Sequence, residues 1–254
     1  MNEQNPVPPP IPPRIPSAYP PLLGDDPADR VAIPHAFAAI EALLRQPNRL
    51  LFQLRQPGAG KLIAAMLFTA LVSSLIYGVV AGTFSGGTQL WAAPVKIAAG
   101  LMISAGICLP SLYIFTCLSG SQARLLEVVG LLAGLLMLMT ILLIGFAPVA
   151  WIFSQSTESL VWMGALHLIF WLVATLFGVR FMKAGFSHAN ARSHAGLNVW
   201  IIIFLLVALQ MTTALRPILG KSDTLFPTEK KFFLGHWGDC MKLHNWESKT
   251  NSPD

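Results

Sequence analysis

The sequence predicts an all-α fold: a polytopic membrane protein of five transmembrane helices, with its N-terminal end inside, its C-terminal tail outside and short interfacial helices beside the bundle. Five long apolar runs carry this prediction, at Leu62–Gly82, Ala92–Leu118, Leu125–Ala147, Leu160–Val179 and Leu197–Ala214. Each reaches or approaches the ~20 residues a helix needs to cross ~30 Å of hydrocarbon. With no water to bond an exposed backbone, such runs span as helices. Composition agrees, since 54% of the chain is hydrophobic and only 11% is charged, against about 25% charged in a soluble domain. Inside the runs only Lys96 and Glu127 carry charge, each near a helix end. The net charge of +5 therefore speaks to membrane orientation, and no nucleic-acid partner is expected.

Residues 1–30 are a proline-rich arm containing P-V-P-P-P-I-P-P-R-I-P-S-A-Y-P-P. Proline removes backbone donors and favours polyproline II, so the arm builds no packed core. It reads either as a disordered cytoplasmic spacer or as a ligand for an aromatic groove, with P-x-x-P spacing at Pro10–Pro13 and Pro13–Pro16. Deletion of residues 1–28 is accordingly expected to leave folding unchanged.

Residues 31–60 change character. Pro34 suits a first helical turn, and Phe37, Ile40, Leu43 and Leu44 recur at helical spacing until Pro47 stops the pattern. Leu50, Leu51, Phe52 and Leu54 then form a second apolar patch beside Arg49 and Arg55. The expectation is an amphipathic segment at the cytoplasmic membrane surface, with a partner-binding helix as the competing reading.

Orientation of the 61–218 transmembrane domain follows from its connections. Arg45, Arg49, Arg55 and Lys61 precede the first run, Arg124 lies between the second and third, and Arg180, Lys183 and Arg192 lie between the fourth and fifth. Thr83–Trp91 has no charge, and Pro148–Ser159 has only Glu158. Alternate loops are thus basic, as the positive-inside rule asks of an N-inside, C-outside chain. Trp91, Trp151 and Trp162 fall at the outer ends, where an amphipathic ring suits the headgroup layer. Residues 1–60 contain no apolar signal core, so the first span is expected to serve as the insertion signal. No N-x-S/T acceptor occurs, which favours a bacterial cytoplasmic (inner) membrane.

Within the spans, Gly130 and Gly134 form G-x-x-x-G, and Gly100 with Ser104 forms a second small pair. Both permit close helix approach, within one chain or between chains. Pro110 is expected to bend the second span. Four intramembrane polar residues are functional suspects. Lys96 lies near the outer face, where it can snorkel. Glu127 opens the third span beside Arg124, where the helix dipole favours a carboxylate. His167 and Gln210 lie deeper and suit hydrogen bonds across helices. A lone histidine without an acidic partner at its depth makes a poor proton relay.

The cysteines carry little chemistry: Cys108 and Cys117 read as packable span residues, and Cys240 lacks a second cysteine in the tail. That tail, residues 219–254, is too short for its own core. It holds His236, Cys240 and His244 at four-residue spacing, a zinc-like set. Gly235 and Gly238 weaken the helix that would align them, so no metal or other cofactor is expected. Walker A, G-x-S-x-G, H-E-x-x-H and dinucleotide motifs do not occur, and no enzyme activity is expected.

The five spans, the proline-rich arm, the short outer tail and the close of the fifth span in A-L-R-P-I-L-G (Ala214–Gly220) resemble the Yip family of five-span membrane proteins and their bacterial relatives. The resemblance covers Lys61–Gly220 and implies a non-enzymatic membrane organiser or adaptor. Two functional classes follow. One is a structural, adaptor or accessory subunit whose partners are the lipid bilayer, other membrane-protein subunits or a second copy of itself. The alternative is a transporter or permease component for a small solute or ion, disfavoured by the odd span count and the lack of an internal repeat.

Overall fold

The computed structural model describes residues 23–84, 89–121, 123–156, 160–189 and 195–214. Among them are a short 3-10 turn at Pro27–Arg30 and seven α-helices, with no strand. Two short helices come first, α1 (Ala36–Arg45) and α2 (Pro47–Leu54). Five long ones follow: α3 (Ala59–Thr83), α4 (Gln89–Leu118), α5 (Leu125–Ser156), α6 (Leu160–His188) and α7 (Ala195–Ala214). Most of the arm, the tail beyond residue 214 and the candidate ligands His236, Cys240 and His244 lie outside the described residues.

Helices α3 to α6 are long and apolar enough to cross a membrane. This is the architecture of a multi-pass protein in a lipid bilayer. The fifth apolar helix, α7, is shorter, at 20 residues. Two helices outrun the apolar runs that predict them. α5 continues through Pro148 to Ser156, and α6 continues past Val179 to His188. Arg180 and Lys183 thus stand on helix α6, where a loop is expected from the sequence. At 32 residues, α5 is about 48 Å long and exceeds the hydrocarbon thickness.

Local signals set the boundaries. Pro47 takes the first turn of α2, where its missing N–H is no loss. Gly120 closes α4 with φ of 71°, a conformation that favours glycine. The Ser121 amide there donates back to the Thr116 carbonyl and Gly120 to Cys117, a Schellman closure. Ser121 Oγ also donates to the Ala189 carbonyl at 3.0 Å, fastening the α4–α5 turn to the end of α6.

Helix α5 is the centre. It packs against α3 on one side and α6 on the other; α4 lies against α3, and α7 lies against α4. Every residue from Gly130 to Thr140 is buried. The outer helices instead expose large apolar side chains, such as Phe68 and Ile76 on α3, Val95 and Ile107 on α4 and Leu176 on α6. A surface this apolar belongs in lipid or against protein. Trp91, Trp151 and Trp162 are all exposed, at the first turn of α4, late in α5 and at the first turn of α6.

The segment 31–60 does not rest its whole apolar face on lipid. Leu50, Leu51 and Leu54 of α2 are buried in the protein core, as are Ala39, Ala42 and Leu43 of α1. α1 packs on α2, α3 and α5, and α2 also reaches α3 and α5, so the pair caps one end of the bundle. The cap begins earlier than residue 31, within the stretch read from sequence as arm. Leu23 and Ile33 pack against the core. Arg30 Nε donates to the Gly24 carbonyl at 2.8 Å, and Arg49 donates to the carbonyls of Val31 (2.9 Å) and Ala32 (2.8 Å). Proline density hid this, because Pro27 and Pro34 carry the composition of the arm into the packed segment. Deletion of residues 1–22 is expected to leave thermal stability unchanged. Deletion of 1–34 removes two packed side chains and the acceptors of Arg49, and is expected to cost on the order of 2 kcal/mol. Melting of the two truncations in one detergent separates these outcomes.

Candidate functional site

Two constellations hold the residues singled out by sequence, one at each end of the bundle. The first is a seam of glycines where α2, α5 and α6 meet. A Cβ added at Gly130 would meet Leu54 of α2 (Cδ2 at 2.6 Å), and one at Gly134 would strike the Phe181 ring of α6. Gly178 lies against Leu135 and Met139 of α5, and Gly185 against Leu131 of α5 and Leu51 of α2. The G-x-x-x-G pair therefore serves contacts within this chain, to two different elements. Its counterparts on α6, Gly178 and Gly185, are seven apart and lie on one face by the same helical arithmetic. That spacing was readable in the sequence and is not part of the expected packing set.

Glu127 stands at the edge of this seam. Its partner is Arg55 at the end of α2, Nε to Oε2 3.9 Å, and not the neighbouring Arg124. The side chains are 35% exposed for Arg55 and 19% for Glu127, so the pair is wet and contributes at most about 1 kcal/mol. A cavity with room for about one water molecule lies beneath it, lined by Leu51, Leu54, Arg55, Glu127, Leu131 and Gly185. This end can orient a docked helix.

The second constellation lies toward the end bearing the exposed tryptophans. The Tyr77 hydroxyl and His167 Nδ1 share a hydrogen bond of 2.6 Å, linking α3 to α6. The rings meet edge to face, with centroids 5.6 Å apart and planes at 84°. His167 Nε2 is buried and has no hydrogen-bond partner among the described residues. With tyrosine donating, the imidazole hydrogen sits on that Nε2. The hydrogen bond across helices expected of His167 is thus made to a phenol. Depth was the available signal. Tyr77 lies six residues before the end of α3 and His167 seven after the start of α6, both about 10 Å inside.

Lys96 lies at a similar depth, seven residues into α4, and is only 7% exposed. Its side chain is enclosed by protein. Ser104 is fully buried, and its hydroxyl donates to the Gly100 carbonyl of its own helix at 2.6 Å. Gly100 is buried beside it. Gln210 is half-buried near the end of α7.

Two close approaches hold α4 in place, and neither is among the sequence expectations. Gly78 of α3 faces the backbone of Pro94, whose nitrogen lies 3.0 Å from where a Cβ would stand. Trp200 of α7 is fully buried, and its Nε1 donates to the Cys108 carbonyl at 2.8 Å. A buried indole N–H requires an acceptor, and the Cys108 carbonyl supplies it.

Taken together, these side chains orient and fasten helices. A part-buried titratable pair that they bring together is Tyr77 with His167. No family model matches the chain, and neither a curated protein nor a solved structure matches it.

Proposed function

We propose that this protein is a non-enzymatic, five-span subunit of a bacterial inner-membrane assembly, acting as a structural, adaptor or accessory component. The observation that carries the reading is the interior of α5, where Gly130 to Thr140 form an unbroken buried stretch with one polar side chain. Thr140 Oγ1 donates to the carbonyls of Leu136 and Met137 on its own helix, so nothing polar there is offered to a solute. The centre is filled, and the apolar surface that remains faces outward on α3, α4, α6 and α7. Partners on this reading are other membrane-protein subunits or a second copy, which meet those faces. The Yip-type likeness, confined to span number and termini, is compatible with such a role and adds no site.

The topology proposed here has five spans and the N-terminus inside; the 20 residues of α7, against the ~20 needed, support the fifth span, and the basic residues gathered at the cap end support the orientation. Single cysteines placed after residue 84 or at Gln155 are expected to label with an impermeant reagent in intact cells. A cysteine at Lys183 is expected to stay unlabelled. The reverse pattern would invert the topology.

A transport role is favoured by one observation, the buried Tyr77–His167 pair with its open Nε2. The two readings part in one experiment. Tyr77→Phe and His167→Leu are expected to leave co-purifying partners intact in mild detergent, since an interhelical hydrogen bond contributes on the order of 1 kcal/mol. They are also expected to change no ion or solute flux in proteoliposomes. Assembly unchanged with a flux abolished would replace the accessory reading by the transporter.

A further inference from the structure

α1 has two apolar faces, and among the described residues only one of them is buried in full. Ala39, Ala42 and Leu43 are buried against the bundle. On the opposite side Phe37 is 78% exposed and Leu44 49% exposed, with Ile40 half-buried between them. At helical spacing of three and four, these three side chains form one ridge about 10 Å long. Glu41 and Arg45 flank it, joined by an exposed ion pair of 3.3 Å.

We propose that this ridge inserts into the boundary between headgroups and acyl chains of the leaflet at the cap end, as a lateral foot of the bundle. The ridge continues a lipid-facing surface already present. α1 packs on α3 and α5, whose own exteriors are apolar, and Leu118, Leu125 and Leu126 are exposed at the same end. Charge supports the same occupant. Arg45, Arg55, Lys61, Arg124, Arg180 and Lys183 all belong to this end, suited to anionic headgroups at the level where the ridge would enter. Size argues against a protein partner, because three side chains supply far less than the ~800 Å² per partner of a specific interface. The flanking pair fits as well: a long arginine keeps its charge in water while its stem lies along lipid. The inference rests on the bilayer placement of α3 to α6 and does not depend on the accessory reading.

The test uses the full chain in vesicles of phosphatidylcholine and phosphatidylglycerol. Nitroxides are attached to single cysteines at 37, 40, 44, 41 and 45, with Cys108, Cys117 and Cys240 replaced by alanine. Collisions with oxygen, which concentrates in lipid, are compared with those of a water-soluble nickel chelate. Labels at 37, 40 and 44 are expected to meet oxygen several-fold more than nickel, and labels at 41 and 45 the reverse. Nickel access at 37 and 44 equal to that at 41 would overturn the proposal, as would immobile labels shielded from both reagents, the mark of a covering protein. Should the cysteine-free chain not fold, a benzophenone amino acid at Phe37 in the native background gives the same decision. A crosslinked phospholipid upholds the ridge, and a protein adduct or none removes it.

Discussion

Gly78→Leu is expected to abolish the folded protein, while Gly106→Leu leaves it intact. A Cβ on Gly78 runs into the Pro94 backbone, and backbone cannot rotate aside as a side chain can. Even Gly78→Ala should cost about 1–3 kcal/mol, the usual range for overpacking a close contact. Leucine adds three carbons to the same collision and forces α3 and α4 apart. That separation also carries α7 away from the bundle, since α7 packs on α4. Gly106 sits in the same helix as Pro94 with open space at its Cβ position, so it controls for helix propensity and added bulk. The measurement is the monodisperse fraction surviving a heating series in one detergent. Equal survival of the two leucine variants would mean that the α3–α4 crossing does not hold the bundle.

Why sequence reasoning reached some of this and missed the rest is a matter of range. Apolar length and charge depletion are local, so the membrane helices were legible run by run. Pro148 and the basic residues Arg180 and Lys183 suggested ends to α5 and α6 that the helices pass through, because proline and surface charge interrupt an apolar count without interrupting a helix. Close approach at Gly130 and Gly134 was legible from residue size, yet not its direction. One glycine receives Leu54 and the other Phe181, and neither distant residue advertises itself. Glu127 shows the same limit. The sequence accounts for Glu127 by the helix dipole alone, and the fold adds Arg55, 72 positions away, as its ion-pair partner. A hydrogen bond across helices was legible for His167 from its depth, but its partner was not: Tyr77 lies at equal depth on an antiparallel helix, 90 positions away. The amphipathic cap was legible as amphipathic. Only the fold divides its apolar surface between the core and the outer ridge.

Trp200→Ala is expected to cost about 3–5 kcal/mol, the range for removing a large buried aromatic, and to loosen α7 specifically. Trp200 is fully buried, stacks on Phe204 with centroids 5.2 Å apart, and donates to the Cys108 carbonyl. Its loss leaves a cavity on the only helix against which α7 packs extensively, and Cys108, 2% exposed, lies on its wall. A small membrane-permeant maleimide should therefore label Cys108 much faster in Trp200→Ala than in the parent. Cys117, exposed in the parent, should label at the same rate in both. Trp200→Phe separates the hydrogen bond from the packing. It retains most of the volume and removes the donor, and Ser111 Oγ still donates to the same carbonyl at 2.8 Å. Its cost should stay near 1 kcal/mol, as for other hydrogen bonds between membrane helices, with Cys108 still slow to react. If phenylalanine proves as damaging as alanine, the indole N–H rather than the ring's bulk holds α7 to α4. If neither variant exposes Cys108, α7 is held by contacts other than Trp200, and the two-helix edge α4–α7 is not the weak side of the bundle.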